Sequence, residues 1–171
     1  FFKKFDVKLY KAEKIDTHGG SIRIYIKKDK NVKIEKNVKE LLKEEEKFGI
    51  KKFKTYQNFA EKVYKIKENV IKNLKNLKQK GETIVGYGAP AKATTALNFF
   101  GISKEIDYII EDNKLKHKKF VPGVKIPIYS KEKIPKKKPL LLVLAWNFYD
   151  EIKKNNSKLS NNFINIKDLE K

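Results

Sequence analysis

Two glycines, a proline and a lysine lie close together in the middle of the chain, at Gly86, Gly88, Pro90 and Lys92. Glycine lets a backbone come close to a ligand, and the first amides of a helix carry partial positive charge. An apolar run precedes the glycines, and a helix is predicted to open at Pro90, where a missing amide proton costs nothing. This order predicts a cradle for a phosphate or diphosphate, with Lys92 adding a formal charge.

The same glycines have a second interpretation, because glycine also permits a tight strand-to-helix turn without any ligand. The pattern Gly86-x-Gly88-x-x-Ala91 matches only a loose form of the dinucleotide-binding motif, and NAD is one of several possible ligands. We favour ligand binding because Lys92 and the helix dipole add to the glycines. The segment predicted to bind the diphosphate comprises Gly86, Tyr87, Gly88, Ala89, Pro90 and Lys92.

Acidic and amide side chains, Glu111, Asp112 and Asn113, end the next predicted strand. In one interpretation Glu111 and Asp112 receive a ribose hydroxyl, as acidic residues do at this position of nucleotide-binding sheets. In the other they are exposed acids that balance the lysines of the following loop. Both interpretations stay open, and Asp112 and Asn113 are retained as weaker candidates for substrate binding.

The remaining candidates are two residues after a buried strand and the two histidines. Trp146 and Asn147 follow the carboxyl end of that strand, where ligands bind in open α/β sheets. Trp146 either stacks on a base or sugar or completes the core, and Asn147 either binds substrate or caps the next helix. His18, in a glycine-rich turn, is either a turn residue or a catalytic acid–base group. His117, among lysines, is predicted to be an exposed loop residue.

The net charge of +20 raises the possibility of nucleic-acid binding. Arg23 is the one arginine among 41 basic residues, whereas base-reading proteins favour arginine. The lysines are also spread along the whole chain, which is typical of solvated faces. Nucleic acid is therefore not an expected partner.

The composition argues against a disulfide-bonded protein, a metal-binding protein and a membrane protein. Without cysteine there is no disulfide and no thiolate metal site, and two isolated histidines do not predict a zinc centre. We predict a cytoplasmic protein, because no apolar run reaches the length of about 18 residues that spans a bilayer and no signal peptide is recognisable. The lack of methionine, even at position 1, leads us to expect a fragment of a longer chain.

The elements that position these residues fall into three predicted segments. Residues 1–30 alternate in polarity on both sides of a glycine-rich turn, which predicts a β-hairpin. Residues 31–81 have helical periodicity and predict a short helix ending at Gly49 and a long linking helix ending at Gly81. Residues 82–171 alternate strands and helices and predict an α/β, Rossmann-like, mainly parallel sheet with flanking helices. The predicted strands are 84–87, 106–110, 140–146 and 163–166, the predicted helices are 89–100 and 147–155, and a loop is predicted over 114–130.

Several motifs in register resemble the C-terminal domain of S-adenosylmethionine-dependent sugar C-methyltransferases. The motifs are Gly86–Lys92, Asp112–Asn113, Pro122–Pro127 and Leu144–Phe148. Thr17–Ser21, followed by Ile22–Tyr25, is similar to the hairpin that closes the methyltransferase core of that family. The resemblance covers nearly the whole chain.

The resemblance implies a longer enzyme with a zinc-binding domain and an S-adenosylmethionine-binding core upstream of this domain. Its substrate would be a keto-deoxysugar carried on a nucleoside diphosphate, and His18 would face the sugar. The family attributes catalysis to a Tyr-x-Glu-His segment, which this sequence lacks along with the zinc cysteines and the cofactor-binding glycine motif. We therefore expect the fragment alone to bind no cofactor and to be inactive. A NAD- or nucleotide-binding module and a lysine-rich domain binding RNA or acidic partners remain alternatives.

Overall fold

The computed structural model describes residues 2–29 and 31–171 of the chain. The first element pair is an antiparallel hairpin of β1 (Lys8–Ile15) and β2 (Ser21–Lys27), joined by a single 3₁₀ turn. The register shifts between Leu9 and Lys11, which marks a β-bulge in β1. The predicted hairpin is confirmed.

Two helices follow, α1 (Lys36–Phe48) and α2 (Phe53–Gln79). Gly49 ends α1 in the left-handed conformation, with a φ of 83°, and its amide bonds the carbonyl of Glu45. This is the predicted glycine cap, which a residue with a Cβ would make only under strain. Within the described ranges, no helix combines the length and apolarity needed to cross a membrane.

The rest of the chain alternates strands with helices and 3₁₀ turns. The elements are β3 (Ile84–Tyr87), α3 (Ala91–Phe100), β4 (Tyr108–Ile110), β5 (Ile128–Tyr129), β6 (Leu140–Val143), α4 (Tyr149–Asn155) and β7 (Phe163–Asn165). The strands form one sheet in the order β5-β4-β3-β6-β7, and every neighbouring pair is parallel. This arrangement confirms the predicted α/β fold.

Some predicted bounds were wrong. Strand β5 lies inside the stretch predicted as a loop, and its shortness and the preceding Pro127 hid it. Strand β4 was predicted from Ile106 but begins at Tyr108. Helix α4 was predicted from Asn147 but begins at Tyr149, because Trp146–Phe148 forms a 3₁₀ turn first.

Helices cover both faces of the sheet, so its strands are apolar along their whole length. One face carries Ile84, Ile109 and Leu142, which pack with α3 and with Val70 and Leu74 of α2. On the other face Val85, Tyr87, Ile110, Leu141 and Val143 form a cluster against which Tyr149 and Ile152 of α4 pack.

The chain folds into two compact units, residues 1–61 and 62–171. The later part of α2 belongs to the second unit, since Val70 and Leu74 are fully buried in its core. The boundaries predicted at residues 30 and 81 stay predictions.

Two asparagines of α2 hold the C-terminal carbonyls. The Nδ2 of Asn73 donates to the carbonyls of Leu169 and Lys171 at 3.0 and 3.1 Å, and that of Asn69 donates to Glu170 at 3.0 Å. We expect Asn73→Ala to lower the free energy of unfolding by about 1 kcal/mol, because partly buried carbonyls lose their donor. Urea denaturation of the variant, with exposed Lys72→Ala as control, measures the effect. An unchanged midpoint in Asn73→Ala would contradict it.

Candidate functional site

The strand order reverses between β3 and β6, since the chain moves outward from β3 through β4 to β5 and then returns to β6. In open parallel sheets the crevice beyond the carboxyl ends of the strands at such a point is the usual ligand site. A cavity of 440 Å³ lies there. Its lining consists of Tyr87, Gly88, Pro90, Glu111, Asp112, Lys116, Lys131, Ala145, Phe148, Glu151, Ile152, Asn155 and Asn156. We call it the switch-point pocket.

The turn after β3 is shaped by two glycines with different tasks. Gly88 has a φ of 85°, and its amide donates to the carbonyl of Ile110 at 2.8 Å. Gly86 lies within the sheet, where a Cβ would stand 2.7 Å from the Cγ1 of Ile109 and 3.0 Å from the Cδ1 of Leu144. Gly86 is therefore required by packing rather than by a ligand.

Glu111 turns its carboxylate back onto this turn. Its Oε2 accepts from the amide of Ala89 at 2.8 Å, and its Oε1 accepts from the amide of Asn113 at 3.1 Å. Lys116 completes the arrangement, because its Nζ donates to the carbonyl of Ala89 at 2.9 Å and to Oε2 at 3.3 Å. The glycine turn, the end of β4 and the loop after it are thereby tied together.

These bonds decide the ionisation of Glu111. Burial alone would raise the pKa of this carboxyl group, but the amides of Ala89 and Asn113 and the charge of Lys116 outweigh it and lower the pKa. Glu111 is thus a carboxylate at neutral pH.

The backbone carbonyl of Glu111 lies 2.7 Å from the Nε2 of His117. The prediction of an exposed His117 was wrong, because that residue is half-buried.

A second cluster lies beside the first and faces the pocket. The hydroxyl of Tyr87 donates to the Oδ2 of Asp112 at 2.9 Å, and the Nζ of Lys131 lies 2.6 Å from its Oδ1. Burial raises the pKa of Tyr87, and the Asp112 carboxylate adds to this rise, while Lys131 opposes it. Burial opposes the charge of Lys131, yet Asp112 and Tyr87 together raise the pKa of its ammonium group. The Asp112 side chain remains 61% exposed, so its carboxylate can still accept a ligand hydroxyl.

The side chain of Lys92 lies against aromatic rings and is not part of the pocket lining. Its Nζ lies 4.5 Å from the ring centre of Trp146 and 6.0 Å from that of Phe148, within the range of cation–π attraction. Burial, and then the charge of Lys167, lower the pKa of Lys92. Phe148 lines the switch-point pocket, whereas Lys92 lines a separate groove of 390 Å³ together with Phe99 and Trp146.

The structure brings four predicted residues together in the pocket lining: Tyr87, Gly88, Pro90 and Asp112. The others are not among its lining residues: Gly86, Ala89, Lys92, Asn113, Trp146 and Asn147. Asn113 caps the next turn by accepting from the amide of Leu115 at 3.0 Å. Asn147 lies inside a 3₁₀ turn, and Phe148 instead occupies the cap position of α4.

The predicted catalytic residue His18 belongs to the 3₁₀ turn Thr17–Gly19. Its side chain lies outside the part of the chain that the structure describes. The role of His18 stays a prediction.

Sequence reasoning missed several residues of the pocket, chiefly Lys116, Lys131, Phe148, Glu151, Asn155 and Asn156. Lys131 lies two positions beyond Tyr129 and therefore at the carboxyl end of β5. Recognising that strand in the sequence would have predicted Lys131 at the pocket. Glu151 and Asn155 are four residues apart on α4 and therefore share a helical face. The approach of Lys116 to Glu111 depends on tertiary folding and has no comparable signal.

The pocket is less basic than the chain. Three carboxylates, from Glu111, Asp112 and Glu151, line it beside the ammonium groups of Lys116 and Lys131. Among the described residues no three His, Cys, Asp or Glu side chains are grouped so that they could hold a metal ion. Carboxylates, amides and a phenol suit the recognition of hydroxyl groups better than that of a dianion.

Comparison with known proteins agrees with the family resemblance of the motifs in the sequence. The chain is 30% identical over 164 residues to the C-methyltransferase NovU of Streptomyces niveus. That alignment covers 94% of this chain but 39% of the relative, so the chain spans about two fifths of that protein's length. Residues 16–165 match the C-methyltransferase C-terminal domain family. The chain therefore belongs to the C-methyltransferase C-terminal domain family.

Proposed function

We propose that this chain is the C-terminal part of a C-methyltransferase that acts on a keto-deoxysugar attached to a nucleoside diphosphate. Membership of the C-methyltransferase C-terminal domain family supports the reaction class. The single observation that carries the substrate class is the switch-point pocket, whose side chains suit hydroxyl groups and whose position is that of nucleotide sites in such sheets.

The pocket's second cluster recognises the hydroxyl-bearing part of the substrate, either the ribose or the deoxysugar. Asp112 accepts a hydroxyl proton on its exposed side while Tyr87 and Lys131 hold the carboxylate in place. Asn155, which also lines the pocket, supplies a side-chain amide as donor and acceptor, whereas the Nδ2 of Asn156 is already bonded to the carbonyl of Ile152. A carboxylate with two fixed partners is already oriented, so binding costs little ordering.

The diphosphate lies at the start of α3 and not at the glycines. The amides of Ala91 and Lys92 open this helix and have no carbonyl one turn earlier within it. The Lys92 ammonium adds a full charge, and Phe148, whose ring centre lies 6.0 Å from that ammonium, lines the pocket. A nucleotide-sugar thus spans from the pocket past Phe148 to Lys92, and remote binding of the diphosphate positions the sugar.

S-adenosylmethionine would supply an electrophilic methyl group, and we place it outside this chain. A glycine loop for such a cofactor needs open space in front of its backbone. Here the turn does not fit it, because Ile109 lies behind Gly86 and the Glu111 carboxylate occupies the amide of Ala89. The chain's own contribution is to bind and orient the sugar for a base located upstream, without which we expect no activity from this part alone.

A NAD-binding module is the second candidate, and the sheet order favours it. In that case a carboxylate after β4 must receive the ribose hydroxyls. Glu111 is committed to two backbone amides and a lysine, which leaves only Asp112 for this task.

Calorimetric titration of the 171-residue chain with a dTDP-sugar, with NAD and with the free nucleoside tests the proposal. We expect Lys92→Gln to weaken binding of the dTDP-sugar about 10-fold, because a charge-assisted contact to the diphosphate is lost. Binding of the free nucleoside should not change.

The control is Lys104→Gln, which removes the same charge from an exposed site. Equal losses in both variants would show that only the overall charge acts, and tighter binding of NAD than of the sugar would favour the second candidate.

A further inference from the structure

The carboxylate of Glu111 occupies the position at the glycine turn where a ligand phosphate would bind. The Oε2 of Glu111 stands 2.8 Å from the amide nitrogen of Ala89, and the amide of Gly88 donates to the carbonyl of Ile110 at 2.8 Å. A phosphate oxygen bound by the same turn would need the place of that carboxylate oxygen. Both donors that the turn offers are thus already used.

The Glu111 side chain is held at this position from several directions. It is only 13% exposed, and it also accepts from the amide of Asn113 at 3.1 Å. Lys116 bridges it to the turn, since one ammonium group contacts both the Ala89 carbonyl and the Glu111 carboxylate. Swinging the carboxylate outward would break all of these bonds together and leave Lys116 without its charged partner.

The other carboxylates of the pocket also disfavour binding of a phosphate there. Asp112 and Glu151 add two further carboxylates to the lining, while Lys131 is already paired with Asp112. An incoming diphosphate therefore meets three carboxylates at this edge of the sheet, in a chain whose net charge is +20. An uncharged hydroxyl-bearing group meets no such repulsion and finds several acceptors.

We infer that Glu111 determines the specificity of the switch-point pocket: it replaces a ligand phosphate at the glycine turn and restricts the pocket to the uncharged, hydroxyl-bearing part of a nucleotide-sugar. This inference rests on the proposed function and deepens it, because it states which part of the substrate enters the pocket. It reverses the usual consequence of a glycine turn before a helix, since here the turn repels the anion it would otherwise bind.

The test is a titration of the ¹⁵N-labelled 171-residue chain with inorganic pyrophosphate, followed by NMR. In the unaltered chain we expect the amide signal of Ala89 to stay in place, while pyrophosphate moves the amide signals of Ala91 and Lys92 at the start of α3. In Glu111→Gln, whose side-chain oxygen still accepts from Ala89 but carries no charge, affinity should rise about 10-fold and the Ala89 signal should move.

Glu68→Gln is the matched control, because it removes the same charge from an exposed site on α2 that does not line the pocket. We expect it to change pyrophosphate affinity by less than about 2-fold, as exposed charges contribute little. An equal gain in both glutamine variants would overturn the inference. A pyrophosphate-induced shift of the Ala89 amide signal in the unaltered chain would also overturn it. This second measurement does not depend on whether a variant folds.

A parallel titration with a dTDP-sugar separates the two proposals. If the sugar does not bind while the pyrophosphate results are as expected, the proposed function fails and the assignment of Glu111 to the turn stands. If the sugar binds and the Ala89 signal of the unaltered chain moves with pyrophosphate, the proposed function stands and the inference about Glu111 fails.

Discussion

Ile109→Ala is expected to lower the free energy of unfolding by about 2–5 kcal/mol. Ile109 is fully buried in β4, and its side chain fills the space behind Gly86 in the core between the sheet and α3. Removing it costs the transfer free energy of the lost carbons and leaves a cavity in a region that strands on both sides hold rigid.

Urea denaturation followed by far-UV circular dichroism measures this loss. Leu115→Ala is the control, since this leucine is 77% exposed and its truncation removes almost no buried surface. A loss in Ile109→Ala no larger than that in Leu115→Ala would contradict the described packing.

Gly86→Ala is expected to lower the free energy of unfolding by about 1–3 kcal/mol, because it overfills the core where Ile109→Ala would leave a cavity. The added Cβ would lie 2.7 Å from the Cγ1 of Ile109 and 3.0 Å from the Cδ1 of Leu144, closer than packed carbons allow. The cost is one of steric overlap, so it should fall when the obstructing atom is removed. The same denaturation experiment measures it.

The double variant Gly86→Ala/Ile109→Ala is the decisive comparison. The Cβ of residue 109 stays 3.6 Å from the new methyl group, an ordinary contact, while the carbon at 2.7 Å is gone. We expect the double variant to be more stable than the sum of the single losses predicts, by about 1 kcal/mol. Strict additivity would show that Gly86 is not needed for packing against Ile109.

The fold could be predicted where the signals are local. The unbroken apolar run at 140–146 indicated a central strand, which the structure has at Leu140–Val143, and Gly49 indicated the end of a helix, because each depends on residues next to one another. Strand β5 was missed because two residues after Pro127 carry no periodicity. Its place in the sheet depends on pairing with β4, which no local pattern records.

The site was harder to predict for the same reason. Sequence indicated the carboxyl edge of β3 and β4, and there Tyr87, Gly88, Pro90 and Asp112 line the pocket. It did not show that Glu111 turns back onto Ala89, because the alternative directions of a side chain after a strand look identical in sequence. The two glycines likewise could not be separated into one required by packing and one required by a turn.

The central position of β3 sets the order in which the domain is assembled. This strand pairs with β4, which follows it closely, and with β6, which lies far along the chain. Contacts between distant segments form slowly, since a long loop must close before they are gained. During synthesis the crevice between β3 and β6 thus has only one wall until the later strand leaves the ribosome, so the switch-point pocket is among the last features to form.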